Sequence, residues 1–411
     1  MPATVKISLF SSLSHRSFAL LWGGQTLSRL GDSIFVVALA WWVIDATGSA
    51  AAMGTVLIFS TAPELLFLLV GGVAVDRFSR LGLMLASDLL RGAVVGLVAL
   101  LAWKDRLSLW HLFVLSAVFG TVRAFFYPAY TAVIPDVVPA AALPSANSLR
   151  SLSLHGASVV GPAIGGFVVA QGGTLIAFAL DALSFLVSAA CLAGVARHPA
   201  LHRRLKPATG ALRDLREGFA TVLGTPWLWI TIAIAGLSSV TLAGPLYAPL
   251  PLLVRQDLGA SVRVYALLNS LSAAGAILAA IWLGRFARLR RRGALTYLAW
   301  MVAALMALVM GLPVSVVGVG AAMLIYGAAK TMLGLVWTNT LQEEAVVPRE
   351  RLGRVASIDA LGSSALLPVG FGIAGLATAR LGPSTVFIVG GAVSAAVIGL
   401  GLLHPAVRNL D

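Results

Sequence analysis

From Phe18 to Leu403 the chain is a succession of apolar runs, each about as long as a bilayer is thick, parted by short breaks carrying Gly, Pro or charge. A run of roughly 20 apolar residues is what an α-helix needs to cross a membrane. Helices and closed barrels alone satisfy their backbone in lipid, and the ten-residue alternation of a barrel strand is absent. The 59% hydrophobic and 11% charged residues agree, because an ordinary soluble domain carries about 25% charge. The runs are Phe18 to Ile44, Ala52 to Val75, Gly82 to Ala102, Leu107 to Tyr127, Ser145 to Ala170, Gly173 to Val195, Trp227 to Val254, Val264 to Gly284, Ala294 to Leu312, Val314 to Leu341, Gly353 to Ala379 and Pro383 to Leu403. They predict an all-α integral membrane protein of about twelve transmembrane helices.

Basic residues crowd one side of that arrangement. The termini and alternate loops hold Lys6, Arg16, Arg77, Arg80, Arg203, Arg204, Lys206 and the Arg288 to Arg292 cluster, whereas the opposite loops hold only Lys104, Arg106, Arg255, Arg263 and Arg380. The positive-inside bias therefore predicts cytoplasmic termini in a bacterial inner membrane. The net charge of +13 lies in these juxtamembrane loops, where it answers to anionic lipid and not to nucleic acid. Cys191 is the single cysteine, the six histidines lack metal-ligand spacing, and no phosphate-binding lysine loop occurs. No metal, cofactor or enzymatic chemistry is expected.

The longest break, residues 197–226, falls after the sixth run and reads as a cytoplasmic linker with an amphipathic stretch from Leu212 to Leu223. It divides a six-helix half, 1–196, from a second, 227–411. Val138, Pro139 and Leu143 recur as Val347, Pro348 and Leu352, at an offset of 209 (347 minus 138), and at the same offset Gly161 meets Gly370 and Gly166 meets Gly375. Two halves repeated about an axis along the membrane normal predict a substrate site near the midplane.

Two motifs carry mechanism. In Gly156 to Gly166, GASVVGPAIGG, the residues Gly161, Gly165 and Gly166 permit close helix approach, while Pro162 removes a backbone donor and permits a bend. Gly72, Asp76, Arg77 and Arg80 punctuate the loop after the second run. The first motif resembles the Gly-Pro-x-x-Gly-Gly pattern of major facilitator superfamily antiporters, and the second resembles that superfamily's loop between helices two and three, with Ala74 and Ser79 departing from it. The resemblance implies the major facilitator fold, export rather than import, and a gating role for Asp76. Phe18 to Gln25, Ser28 to Ser33, Ser87 to Arg91, Phe126 to Ala129, Leu143 to Leu149 and Leu352 to Arg354 are similar to the branch containing macrolide-efflux permeases and enterobactin-type siderophore exporters.

Charges inside the runs separate by depth. Asp88, Arg91, Arg123, Arg150 and Asp359 fall near cytoplasmic ends, where side chains snorkel or build ion pairs at the gate, and structural or gating roles are expected of them; Asp181, near an outer end, is expected to cap or pair locally. Gln25, Arg29 and Asp32 share one helix face, and Arg29 can meet Asp32 directly. Glu64 has no basic neighbour at helical spacing, so nothing local holds its charge unless Arg29 reaches across. Such a carboxyl suits a proton carrier. The expected coupling set is therefore Glu64, then Asp32, with Arg29 switching between them. Gln25, Phe35, Lys330, Trp337 and Asn339 are expected to line the substrate cavity.

The resulting expectation is a monomeric, proton-driven exporter of amphipathic small molecules such as macrolide-like drugs, working by alternating access within membrane lipid. A siderophore exporter, a lysophospholipid flippase of the same fold and a transport-inactive receptor or scaffold are the competing readings.

Overall fold

The computed structural model describes residues 10–195, 219–285, 291–342, 349–408 and 410. Among the described residues every regular element is helical. In chain order these are α1 (Arg16–Thr47), α2 (Ala50–Arg77), α3 (Arg80–Trp103), α4 (Leu109–Val137), α5 (Leu143–Val195), α6 (Pro226–Asp257), α7 (Val262–Leu283), α8 (Arg292–Gly311), α9 (Val316–Gln342), α10 (Arg349–Ser364), α11 (Leu367–Leu381) and α12 (Pro383–Leu403). A short 3-10 turn, Ser11–Ser14, precedes α1.

Among the described residues, eleven stretches are long and apolar enough to cross a bilayer. The longest contains α5, whose 53 residues would reach about 80 Å as one straight helix at 1.5 Å per residue. Gly173 interrupts it with φ 74° and ψ 177°, a conformation open to glycine and costly for other residues. The break divides α5 into two crossings, 143–172 and 174–195, and restores the expected count of about twelve. The hairpin expected at Pro313 is present between α8 and α9. Prolines Pro245, Pro249 and Pro251 remove donors from α6, and the helix answers with π turns at Ser239–Ala243 and Leu253–Asp257.

One boundary differs from expectation. The fourth run was expected to end at Tyr127, yet α4 continues through Pro128 to Val137. Beyond the run, Ala129, Tyr130, Val133, Ile134 and Val137 recur at helical spacing and are buried, so packing carries the helix on.

The chain forms two compact units, Met1–Leu39 with Phe59–Ala208, and Ala40–Ile58 with Thr209–Asp411. In the first, Phe18, Leu21, Met84, Tyr130, Ile134, Leu149 and Leu192 build the core near the α2–α3 and α4–α5 connections. In the second, Leu228, Ile232, Leu341, Val355 and Ile358 form a smaller cluster.

Glycine contacts repeat within each unit. A β-carbon at Gly120 would land on the Ser60 carbonyl and one at Gly71 on the Ala124 carbonyl, locking α2 to α4. In the second unit Gly327 meets the Ser272 carbonyl and Gly275 the Leu324 carbonyl, locking α7 to α9 in the same way. Gly161 lies against Ser33 of α1, and Gly370, its counterpart at offset 209, lies against Ser239 and Val240 of α6. Close approach of this kind supplies the van der Waals contact that holds helices together in lipid.

Candidate functional site

The first unit concentrates its intramembrane charges on α1 to α5, and the glycine contacts place them. Gly161 and Gly165 bring α5 onto α1 at Ser33, Ile34 and Val37. Gly31 and Gly24 bring the 174–195 segment onto the same helix, opposite Ser184 and Ser188. Pro162 and Gly166 lie in this seam, half-buried and buried.

Gln25 was expected on a cavity wall, yet it is 2% exposed. Its amide donates to Asp88 Oδ2 at 3.1 Å and to Ser188 Oγ at 2.8 Å, while Ser188 Oγ donates to Asp88 Oδ2 at 2.7 Å. Arg91 Nη2 donates to Asp88 Oδ1. The Arg91 guanidinium carbon also stands 4.2 Å from the Phe126 ring centroid and 4.6 Å from that of Phe185. Asp88 and Arg91, expected in structural or gating roles, are buried in the first unit, where Asp88 accepts from Arg91, Gln25 and Ser188 and Arg91 Nε has no hydrogen-bond partner among the described residues. A buried amide and a buried carboxylate are stable only when so bonded, which is why Gln25 turns inward.

Arg29 and Asp32 share the expected face, but no ion pair joins them among the described residues. The Arg29 guanidinium carbon stands 5.8 Å from the Tyr130 ring centroid, an aromatic partner from the unpredicted extension of α4. Phe35 is built into an aromatic cluster, 5.4 Å from Phe178 and 6.2 Å from Phe119.

Glu64 lies midway along α2, directly after Pro63, and is paired. Its partner is Arg123 of α4, whose Nε is 3.2 Å from Glu64 Oε1. Arg29 was the charge expected to switch partner in this set, and Arg123 was expected near a cytoplasmic end in a structural or gating role. Arg123 is mid-helix because α4 runs on to Val137, and the locked α2–α4 contact brings it to Glu64. The side chains are 56% exposed for Arg123 and 27% for Glu64, unlike the buried pair of Asp88 with Arg91.

The loop motif is held by Arg80, which donates to the Ala132 carbonyl and to Asp136 Oδ2, each at 2.8 Å. Asp136 was not singled out in the sequence, because its role needs the extended α4. Gly72 is half-buried and Arg77 exposed; the Asp76 side chain lies outside the described residues. So do residues 197–218 of the expected linker and the Val347–Pro348 repeat. Arg150 donates to Thr131 Oγ1 at 3.3 Å, a hydrogen bond in place of the expected ion pair.

In the second unit Trp337 Nε1 donates to Asp359 Oδ2 at 2.9 Å, and Ser363 Oγ to Asp359 Oδ1 at 3.2 Å. Asp359, expected in an ion pair, is met by neutral donors among the described residues. Lys330 and Asn339 are exposed on α9. Lys330 lies three residues after Gly327, as Arg123 lies three after Gly120, so it occupies the repeat position of Arg123. The position four after Ser60 is Glu64, and four after Ser272 it is Ala276. The second unit keeps the cation and lacks the acid.

A family described as transmembrane secretion effector matches residues 7–358. Macrolide efflux protein A of Streptococcus pyogenes is 24% identical over 406 residues, covering 96% of this chain and 96% of its own length. The multidrug efflux pump Tap of Mycobacterium tuberculosis is 30% identical over 232 residues, covering 54% of each chain. Among solved structures, a POT family transporter superposes with TM-score 0.74 at 12% identity, covering 94% of this chain and 96% of that one. A bacterial homologue of the iron transporter ferroportin gives TM-score 0.72 at 14% identity, covering 95% and 99%. Identities this low speak to the fold alone. With a multi-pass helical fold, the glycine contacts of Gly161 and Gly165 and a family match over residues 7–358, the chain belongs to the transmembrane secretion effector family of major facilitator transporters.

Proposed function

We propose that the protein exports amphipathic small molecules of the macrolide and drug class by proton antiport and alternating access, with both termini cytoplasmic. The observation that carries this reading is the open Glu64–Arg123 pair at mid-membrane depth. A sealed ion pair cannot exchange protons with water, whereas a partly exposed one can, and Pro63 leaves the α2 backbone free to bend beside it. Protonation of Glu64 cancels its charge and releases Arg123, which then acts more strongly on Asp32; loss of the proton restores the pair. Drug rather than siderophore or lipid cargo is supported by the relatives' names, the macrolide efflux protein covering 96% of the chain and the pump Tap 54%. Lys330 and Asn339 are exposed polar groups of α9 that would meet cargo in a monomer, with the halves 1–196 and 227–411 moving about the 197–226 linker.

Efflux from everted vesicles tests the reading. A macrolide and a panel of cationic drugs should be accumulated only while a proton gradient is maintained, and Glu64→Gln and Asp32→Asn should each abolish that accumulation with the protein still folded. Full gradient-driven transport in both variants would refute the assignment.

A further inference from the structure

The second unit carries a cleft that transport of cargo does not use. Leu278, Ala279 and Trp282 of α7, Val302 of α8, and Ile325 and Ala328 of α9 line a space of about 370 Å³ with apolar side chains, within the range of about 300–1,000 Å³ that small ligands occupy. α9 packs along both α7 and α8. The small side chains of Ala279 and Ala328 are half-buried, whereas Leu278, Trp282, Val302 and Ile325 are exposed, so the cleft is a recess with a bulky rim. No charged residue occurs from Val264 to Gly284 or from Gly293 to Leu312, and an exposed surface of that composition is stable against hydrocarbon rather than water. Left empty, the recess would forfeit dispersion contacts along its whole lining, so an apolar chain fills it.

One end of the cleft is basic. Arg285 follows Trp282 by a single turn, and its backbone N–H donates to the Trp282 carbonyl at 3.2 Å. Arg285 is exposed, and no ion pair holds it among the described residues. Arg292 opens α8 after Arg291, ten residues before Val302 (302 minus 292), or about 15 Å along the axis. Trp282 lies two residues from the end of its apolar run, where an indole sits at headgroup level. Hydrocarbon contact that ends in cations is the pattern of an anionic glycerophospholipid, with acyl chains at one end and a phosphate at the other. A cationic amphiphile would meet repulsion at the arginines, and a second copy related by a two-fold axis would bring the same arginines together.

We propose that the α7–α8–α9 cleft binds one anionic glycerophospholipid, its acyl chain lying along Ala279 and Ala328 and its phosphate meeting Arg285 and the start of α8. The assignment of that lipid to the cytoplasmic leaflet rests on the proposed orientation of the termini; the pairing of cleft and arginines does not.

Native mass spectrometry of the full chain in detergent tests the site, with palmitoyl-oleoyl phosphatidylglycerol titrated against phosphatidylcholine of the same chains. The wild type should retain phosphatidylglycerol at lower concentration than phosphatidylcholine. Arg285→Gln should weaken phosphatidylglycerol about fivefold, the weight of one arginine near a membrane surface, and leave phosphatidylcholine unchanged. Ala328→Phe, which fills the recess from α9, should remove one retained phosphatidylglycerol, and Ala279→Phe should do the same from α7. Equal retention of the two lipids by the wild type, or full retention of phosphatidylglycerol in both filled variants, overturns the proposal. So does a dimer that Ala328→Phe converts to monomer, which would give the cleft to a second copy, or displacement of the lipid by a macrolide, which would make it a cargo site. Retention as stated, with vesicle efflux that needs no proton gradient, leaves the lipid site standing while the antiport reading falls.

Discussion

Replacing Asp88 by Leu should destabilise the first unit severely, and the structure sets the size of the effect. Asp88 and Arg91 side chains are 0% and 4% exposed, so Asp88→Leu leaves a guanidinium without counter-charge or water. Removing one member of a buried pair costs about 3–5 kcal/mol. Arg91 cannot escape the cost by snorkelling, because Phe126 and Phe185 enclose it on two sides. Gln25 and Ser188 keep each other as partners at 2.8 Å, so their loss of Asp88 adds at most about 1 kcal/mol. The expected total is about 4 kcal/mol. Asp88→Leu with Arg91→Met removes both charges in favour of apolar groups of similar bulk, and should return to within about 1 kcal/mol of the wild type. Equilibrium unfolding in mixed detergent micelles, followed by tryptophan fluorescence, measures all three variants. A single variant within about 1 kcal/mol of wild type, or a double variant no better than the single, would refute the claim that this pair is a sealed structural unit.

Two further expectations follow from the helix contacts. Gly120→Ala should cost about 1–3 kcal/mol, because its β-carbon meets the unyielding Ser60 carbonyl, whereas Gly156→Ala, with nothing within 4 Å of its β-carbon, should stabilise by up to about 1 kcal/mol through helix propensity. Thermal unfolding of the two variants should move in opposite directions, and a shared direction would contradict the packing argument. Asp136→Asn should weaken the partly exposed Arg80 contact by about 1 kcal/mol, and the difference from wild type should shrink in high salt; a salt-independent loss would show that the charge contributes nothing.

The element most legible in the sequence was the spanning helix, because its determinant is local: twenty apolar residues in a row cannot be accommodated otherwise. The break near Gly172, the close-packing role of Gly161 and Gly165, and the family likeness were readable for the same reason, since glycine and proline act on their own backbone. The end of α4 was misplaced because Pro128 marked the close of the apolar run, while the buried stripe beyond it depended on neighbours not yet known.

The amino-acid sequence by itself determined that this chain crosses a membrane as a bundle of helices, where those helices turn, and which few charges must be enclosed by protein. Only the tertiary structure decided which charge meets which. Gln25 and Ser188 are 163 residues apart, Glu64 meets Arg123 on another helix, and Arg29 turns to Tyr130. Pairing at that range is set by helix contacts between glycines and carbonyls, which no single stretch of sequence contains, whereas the preference of an apolar run for lipid is complete within the run itself.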